Sequence, residues 1–294
     1  MRPALAALAL SVALLVLAGC GSSGSSSSSS SSSSGASSTA AASQANACTK
    51  DQLKTRTAGT LTVATDKPAF PPYFEDDDPT NGKGFESAVA YAIAQKLGFD
   101  KSEVKWTTEP FNSSYAPGPK KFDFDVNQIS ITPARAKRVD FSTPYFTAPQ
   151  ALVALKTSDA ASATSLADLA NAKLGVQIGT TSLDAVQRVV KPSSQPKVFN
   201  DSNDVVTALK QKQVDGVVVD LPTAFFLTAV QVPKAKIVGQ FSAPGGDTWG
   251  ALLAKGSPLT QCVNQAITSL KEAGTLQSLE QRWLGAAAGA PVLK

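Results

Sequence analysis

With 294 residues, 43% of them apolar, the chain has room for one large domain or two lobes around an ordinary globular core. Its formal charge of +4 is thinly spread, with no Lys/Arg block and no interleaved aromatics, which argues against a nucleic-acid partner. Histidine is absent, so Ser-His-Asp and Cys-His catalysis, HExxH zinc sites and imidazole acid–base chemistry are excluded, while carboxylate or lysine chemistry is not.

At the N-terminus, Arg2 precedes an apolar run from Ala4 to Ala18 that is short for a bilayer span and reads as a secretory signal, residues 1–19. The run meets Leu17-Ala18-Gly19-Cys20, the lipobox pattern of bacterial lipoproteins, which makes Cys20 the expected lipidated residue. A plain cleaved signal with a stray cysteine is the alternative. Residues 20–46 then form a tether around the serine run Ser25 to Ser34. Such a segment buries no apolar surface and behaves as a coil roughly 25 to 30 Å across, holding a folded body at the outer face of a membrane. In an exported body, Cys48 and Cys262 are expected to pair as a disulfide, with two unpaired thiols as the alternative.

From residue 60 the chain alternates β-rich runs with helical patterns. Leu61 to Ala64 reads as a strand, and Phe85 to Leu97 as a helix with Val89, Ile93 and Leu97 on one face and Gly98 closing it. Val104 to Thr107 and Phe122 to Ile129 are strand-like, and the breakers Pro117, Gly118 and Pro119 between them preclude a long helix. Pro133 opens a helix, and Ala151 to Leu155 forms a strand. Lys173 to Gln177 runs through Gly179-Thr180-Thr181-Ser182 into a helix ending at Val190. Strand Lys197 to Phe199, a helix from Asn203 to Lys212 and strand Gly216 to Val219 repeat the pattern before two closing helices, Leu259 to Leu270 and Leu276 to Leu284. This alternation predicts an α/β fold with largely parallel sheets. Its repetition about residue 151 predicts two lobes, residues 47–150 plus 247–294 and residues 151–246, with crossings near Ala148 and in "FSAPGGDTW". Ligand sites in open α/β sheets lie off the carboxyl ends of strands, which selects Asp66, Phe111, Gln128 to Thr132, Gly179 to Ser182 and Asp220.

The stretches "GTLTVATDKPAFPPYF", "GKGFESAVAYAIAQKLGF", "ISITPARAKRVDFSTPYF", "KLGVQIGTTS", "QVDGVVVDLPTA" and "LKEAGTLQSLEQRWLG" come in order over about residues 53 to 285. They resemble the amino-acid-binding solute-binding proteins of bacterial ABC importers. The resemblance implies a two-lobed, type II periplasmic-binding-protein-like fold with a two-strand hinge and no cofactor. It implies capture of a polar amino acid by hinge closure, not catalysis, and delivery to an importer permease by a monomer. Arg135 is then the clamp of the ligand α-carboxylate, as a planar guanidinium fork suits, assisted by Ser130 and Thr181. Asp220 is the acceptor of the α-ammonium.

In isolation, Arg135 would read as a solvated surface charge and Asp220 as a helix N-cap. Asp66 matches a position facing the ligand side chain, where a carboxylate favours a cationic or amide tip, though it could instead cap the strand exit or pair with Lys67. Phe70 and Phe111 are placed like the family aromatics that sandwich the ligand. The usual spacing from the aspartate is one residue shorter than Asp66 to Phe70, so Tyr73 is the alternative aromatic. The amides Asn127, Gln128 and Gln177 depart from the family pattern and favour glutamine or a basic amino acid. A sensory module for a membrane receptor, or a dehydratase using Asp66, Glu86 or Asp220 as general acid, are the other readings.

Overall fold

The computed structural model describes residues 48–285 and 290–294, so the signal segment, Cys20 and the serine tether lie outside the described residues. Twelve strands appear among the described residues. They are β1 (Leu61–Thr65), β2 (Val104–Thr108), β3 (Phe124–Asp125), β4 (Asp140–Phe141), β5 (Phe146–Thr147), β6 (Gln150–Leu155), β7 (Leu174–Gln177), β8 (Lys197–Phe199), β9 (Gly216–Asp220), β10 (Ala235–Phe241), β11 (Thr248–Trp249) and β12 (Leu252–Leu253).

They build two five-stranded sheets, ordered β2-β1-β3-β12-β4 and β10-β6-β9-β7-β8, with β5 and β11 paired as a two-stranded ribbon between them. In each sheet four of the five strands run the same way, as expected of a largely parallel sheet, and one strand is reversed. In the first, β1 runs parallel to β2 and β3, while β12 returns antiparallel to β3 and β4. In the second, β7 runs parallel to β8 and β9, while β6 is antiparallel to β9 and β10. The antiparallel strands are those the chain uses to pass between lobes, and no βα crossover precedes them to set a parallel direction.

Strand alternation explains why β6 is buried along its whole length. Leu152 and Ala154 join one apolar cluster and Ala151, Val153 and Leu155 another, so the sheet is covered on both faces. In the first lobe, the helix Phe85–Lys96 turns Phe85, Val89 and Ile93 into a core with Leu61, Val63, Phe124 and Trp249. Each large apolar side chain so buried contributes about 1.5–3 kcal/mol relative to exposure.

The strand expected over Phe122 to Ile129 is shorter, because Gln128 at φ 49° turns the chain out of the sheet. Two second-lobe helices, Thr181–Ala185 and Leu221–Phe226, continue into wider π turns at Val186–Val190 and Leu227–Gln231. Cys48 and Cys262 form a disulfide with Cα atoms 5.3 Å apart.

Residues 290–294, expected with the first lobe, lie along β10 instead. Leu293 N donates to Gln240 O at 2.9 Å, Gln240 N donates to Pro291 O at 2.7 Å, and Leu293 is 3% exposed in the second-lobe core. The apolar socket offered by Val238 and Phe241 is what draws this segment back. Among the described residues no helix is long and apolar enough to cross a membrane.

Candidate functional site

A cavity of ≈ 260 Å³ opens where the carboxyl ends of β1 and β9 face each other across the lobes. Asp66, Phe70, Phe111, Gln128, Ser130, Arg135, Thr181 and Asp220 all line it. Their convergence follows from strand direction: Asp66 and Asp220 close β1 and β9, and Thr181 opens the helix after β7.

Arg135 sits on the single helical turn Pro133–Ala136, whose N-cap Thr132 accepts from Arg135 N at 3.2 Å. It is 8% exposed, not a solvated surface charge. Its Nη1 donates to Ser130 O at 2.7 Å and its Nη2 to Gly179 O at 2.8 Å. The guanidinium lies 4.7 Å from the Tyr115 ring centre and 5.4 Å from that of Phe111. Burial lowers its pKa, but a guanidinium stays charged at neutral pH. Among the described residues Arg135 has no salt-bridged carboxylate, so a buried positive charge faces the cavity without an anionic partner.

Four contacts bridge the lobes around this charge: Arg135 to Gly179, Ser130 Oγ to Thr181 Oγ1 at 3.2 Å, Tyr73 Oη to Thr223 Oγ1 at 2.8 Å, and Tyr115 Oη to Gly179 O at 3.4 Å. They define a closed arrangement. Gly179 has φ +75°, which favours glycine, and a Cβ there would stand 2.5 Å from Tyr115 Oη and 2.6 Å from Asn112 Oδ1, so those side-chain ends would have to shift.

On the opposite wall, Asp220 precedes a helix without capping it. Its Oδ1 accepts instead from Gln150 Nε2 at 2.7 Å. Burial raises its pKa to about 7, with Asp247 adding to the rise, while the Gln150 hydrogen bond and Arg135 oppose it.

Asp66 is half-buried and accepts from Lys67 N at 2.7 Å and Phe111 N at 3.3 Å. Its pKa is raised by burial and further by Asp201 and Glu109. Lys67 pairs with Asp77 at 2.7 Å, leaving Asp66 without a cation. Asp201, a second carboxylate of the cavity wall, caps the helix Ser202–Lys210 by accepting from Asp204 N at 3.0 Å. Phe70 lines the cavity, whereas Tyr73 is 1% exposed in the first-lobe core, edge-on to Trp249. The geometry therefore places Phe70 and not Tyr73 at the wall.

The floor rests on Glu86, which is fully buried. It accepts from Gln128 N at 2.8 Å, from Gln128 Nε2 and from Tyr145 Oη, and burial outweighs these donors to hold it at about 7. Asn127, 4% exposed, lines the cavity with no hydrogen-bond acceptor for its Nδ2 among the described residues. Gln177 lines it too, its Oε1 accepting from Ser202 Oγ at 2.6 Å.

The sequence reading missed Tyr115, Gln150, Asp201 and Thr223. Tyr115 lies in a breaker-rich loop with no periodicity, and Gln150 matters only through its sheet register with Asp220.

Comparison with known proteins bears on this geometry. Residues 61–286 match the family model described as bacterial extracellular solute-binding proteins, family 3. The L-cystine-binding protein TcyJ of Escherichia coli strain K12 is 30% identical over 243 residues, covering 79% of this chain and 85% of TcyJ. The arginine-binding extracellular protein ArtP of Bacillus subtilis strain 168 is 29% identical, covering 71% of this chain and 81% of ArtP. The structure of an ancestral arginine-binding protein bound to glutamine superposes with a TM-score of 0.65 at 37% identity, over 78% of this chain and 100% of that one. A family match across most of the folded body, on two lobes closed around a small cavity, assigns the chain to the bacterial extracellular solute-binding proteins, family 3.

Proposed function

We propose that the protein captures a free amino acid between its lobes and presents the closed form to the permease of an ABC importer, acting as a monomer at the outer face of a membrane through lipidated Cys20. The observation that carries this reading is Arg135, a buried guanidinium held by carbonyl oxygens and ring faces with no carboxylate bound to it. An α-carboxylate supplies the missing charge in bidentate geometry, assisted by the Ser130 and Thr181 hydroxyls. Asp220, across the cavity, accepts the α-ammonium. A volume of ≈ 260 Å³ lies at the small end of ligand pockets and suits one amino acid.

For the side chain, Asp66 and Asp201 raise the charge density of one wall, and a cationic tip relieves it. A basic amino acid, arginine first, is the proposed ligand, with glutamine next. Relatives named for arginine, and an ancestral arginine-binding protein bound to glutamine, support that order. L-Cystine is the second reading, favoured by the likeness to TcyJ. Its distal ammonium would meet the same two carboxylates. Capture without turnover fits relatives that are themselves named as binding proteins.

A thermal-shift and calorimetry panel of L-arginine, L-lysine, L-histidine, L-glutamine and L-cystine tests the reading. A true ligand at a hundred times its Kd adds about 2.7 kcal/mol, or roughly 5–10 °C in Tm. A flat response to all five would overturn it. Turnover of a prephenate-like acid would favour the dehydratase instead.

A further inference from the structure

Gln150 is the first residue of β6 and has no solvent exposure. Sheet register sets it directly opposite Asp220, and Leu221 N closes the pair by donating to Pro149 O at 2.8 Å. Its Nε2 donates to Asp220 Oδ1 at 2.7 Å and its Oε1 accepts from Ser182 Oγ at 2.5 Å. One buried side chain therefore touches both the acceptor wall and the helix that carries Thr181.

We propose that Gln150 is a positioning residue for ligand capture: it orients Asp220 and Ser182 in the cleft. The inference rests on Asp220 being the acceptor of the ligand ammonium. Gln150 fixes one Asp220 oxygen, and among the described residues no second donor occupies Oδ2. That oxygen is left to the ammonium. A leucine or methionine would fill the space equally well, so packing alone does not call for an amide here.

The amide also counters the surroundings of Asp220. Asp247 from the hinge side, Glu86 from the first lobe and burial all disfavour its charge, and Tyr73 stands near it without charge. Gln150 and Arg135 are the groups that favour the ionised form. An ionised acceptor is what an ammonium needs.

The test is the pH dependence of L-arginine and L-glutamine binding by calorimetry, from pH 5.5 to 9, on the wild type and Gln150→Met. Wild-type affinity is expected to fall as pH drops through about 7, where Asp220 protonates. Gln150→Met should bind about tenfold more weakly at pH 8, with its midpoint moved up by about one unit. If Gln150→Met does not fold, Gln150→Glu serves, since a third carboxylate also moves the midpoint upward. An unmoved midpoint, even with weaker binding, overturns the positioning role and leaves only a structural one. Silence of the wild type toward both probes and L-cystine overturns the amino-acid reading itself, and the role of Gln150 with it.

Discussion

A guanidinium that is 8% exposed and bonded to two carbonyl oxygens carries its full charge into the cleft wall. Removing it leaves a bound carboxylate desolvated and unpaired. Arg135→Ala is therefore expected to weaken amino-acid binding roughly 100-fold or more, and Arg135→Lys to recover only part, since an ammonium lacks the planar fork. Calorimetry reads both, and unchanged affinity in Arg135→Ala would refute the assignment. Glu86 poses a different test at the same scale. Burial holds it at about 7, against an ordinary 4.5, so the folded state binds its proton more tightly than the unfolded chain does. The stabilisation is present below pH 4.5 and lost as pH rises to about 7; Asp220, also held at about 7, acts in the same direction. The ligand-free protein is expected to melt higher at pH 5 than at pH 7.5, and Glu86→Gln to flatten that slope. A melt profile rising steadily from pH 5 to 7.5 would contradict it.

At the scale of elements, closure is decided where the loop after β7 meets the loop carrying Asn112 and Tyr115. Gly179 is the contact point: Arg135 and Tyr115 both donate to its carbonyl, and a Cβ there would crowd Tyr115 Oη and Asn112 Oδ1. Gly179→Ala adds a methyl 2.5 Å from Tyr115 Oη in the closed form and keeps a φ that costs alanine about 1 kcal/mol or more in either form. The lobes then rest apart, and apparent affinity falls by the fraction that remains able to close, about tenfold. Small-angle scattering of the ligand-free variant should show a larger radius of gyration than the wild type; an equal radius with unchanged affinity would show that closure does not need this glycine. Strand-exit residues such as Asp66, Ser130 and Asp220 were legible because strand periodicity marks where each strand ends and the family motifs select among those ends. Gln150 and Tyr115 were not, and Glu86 was read only as a carboxylate able to serve as a general acid. Their roles come from cross-strand register, from a loop without periodicity, and from a carboxylate on the buried face of a helix, where pattern alone predicts an apolar residue. The strand beyond Asp125 was overread because nothing in "VNQIS" announces the left-handed turn at Gln128.

For the whole molecule, the chain is fastened at both ends of its folded body, once in each lobe. The Cys48–Cys262 disulfide closes a separation of 214 residues onto the first-lobe helix Thr260–Glu272. The 290–294 segment, which follows the first-lobe helix Thr275–Leu284 in sequence, pairs with β10 of the second lobe. Its anchor is Leu293, and Gly239 accommodates it: a Cβ on Gly239 would stand 2.6 Å from Leu293 Cγ. Leu293→Ala empties a socket among Val238, Phe241 and Ala243 and is expected to cost about 3 kcal/mol, lowering Tm by roughly 6–12 °C. Replacing both cysteines by serine should cost about 2–5 kcal/mol through the freed unfolded chain. The two fastenings lie in separate apolar clusters with no shared residue, so their costs should add to within about 0.5 kcal/mol. Chemical denaturation of the single and combined variants measures this. A combined loss well below the sum would mean that the lobes unfold separately, each variant reporting on its own half, and that the bridging contacts of the closed form do not make the two lobes one cooperative unit.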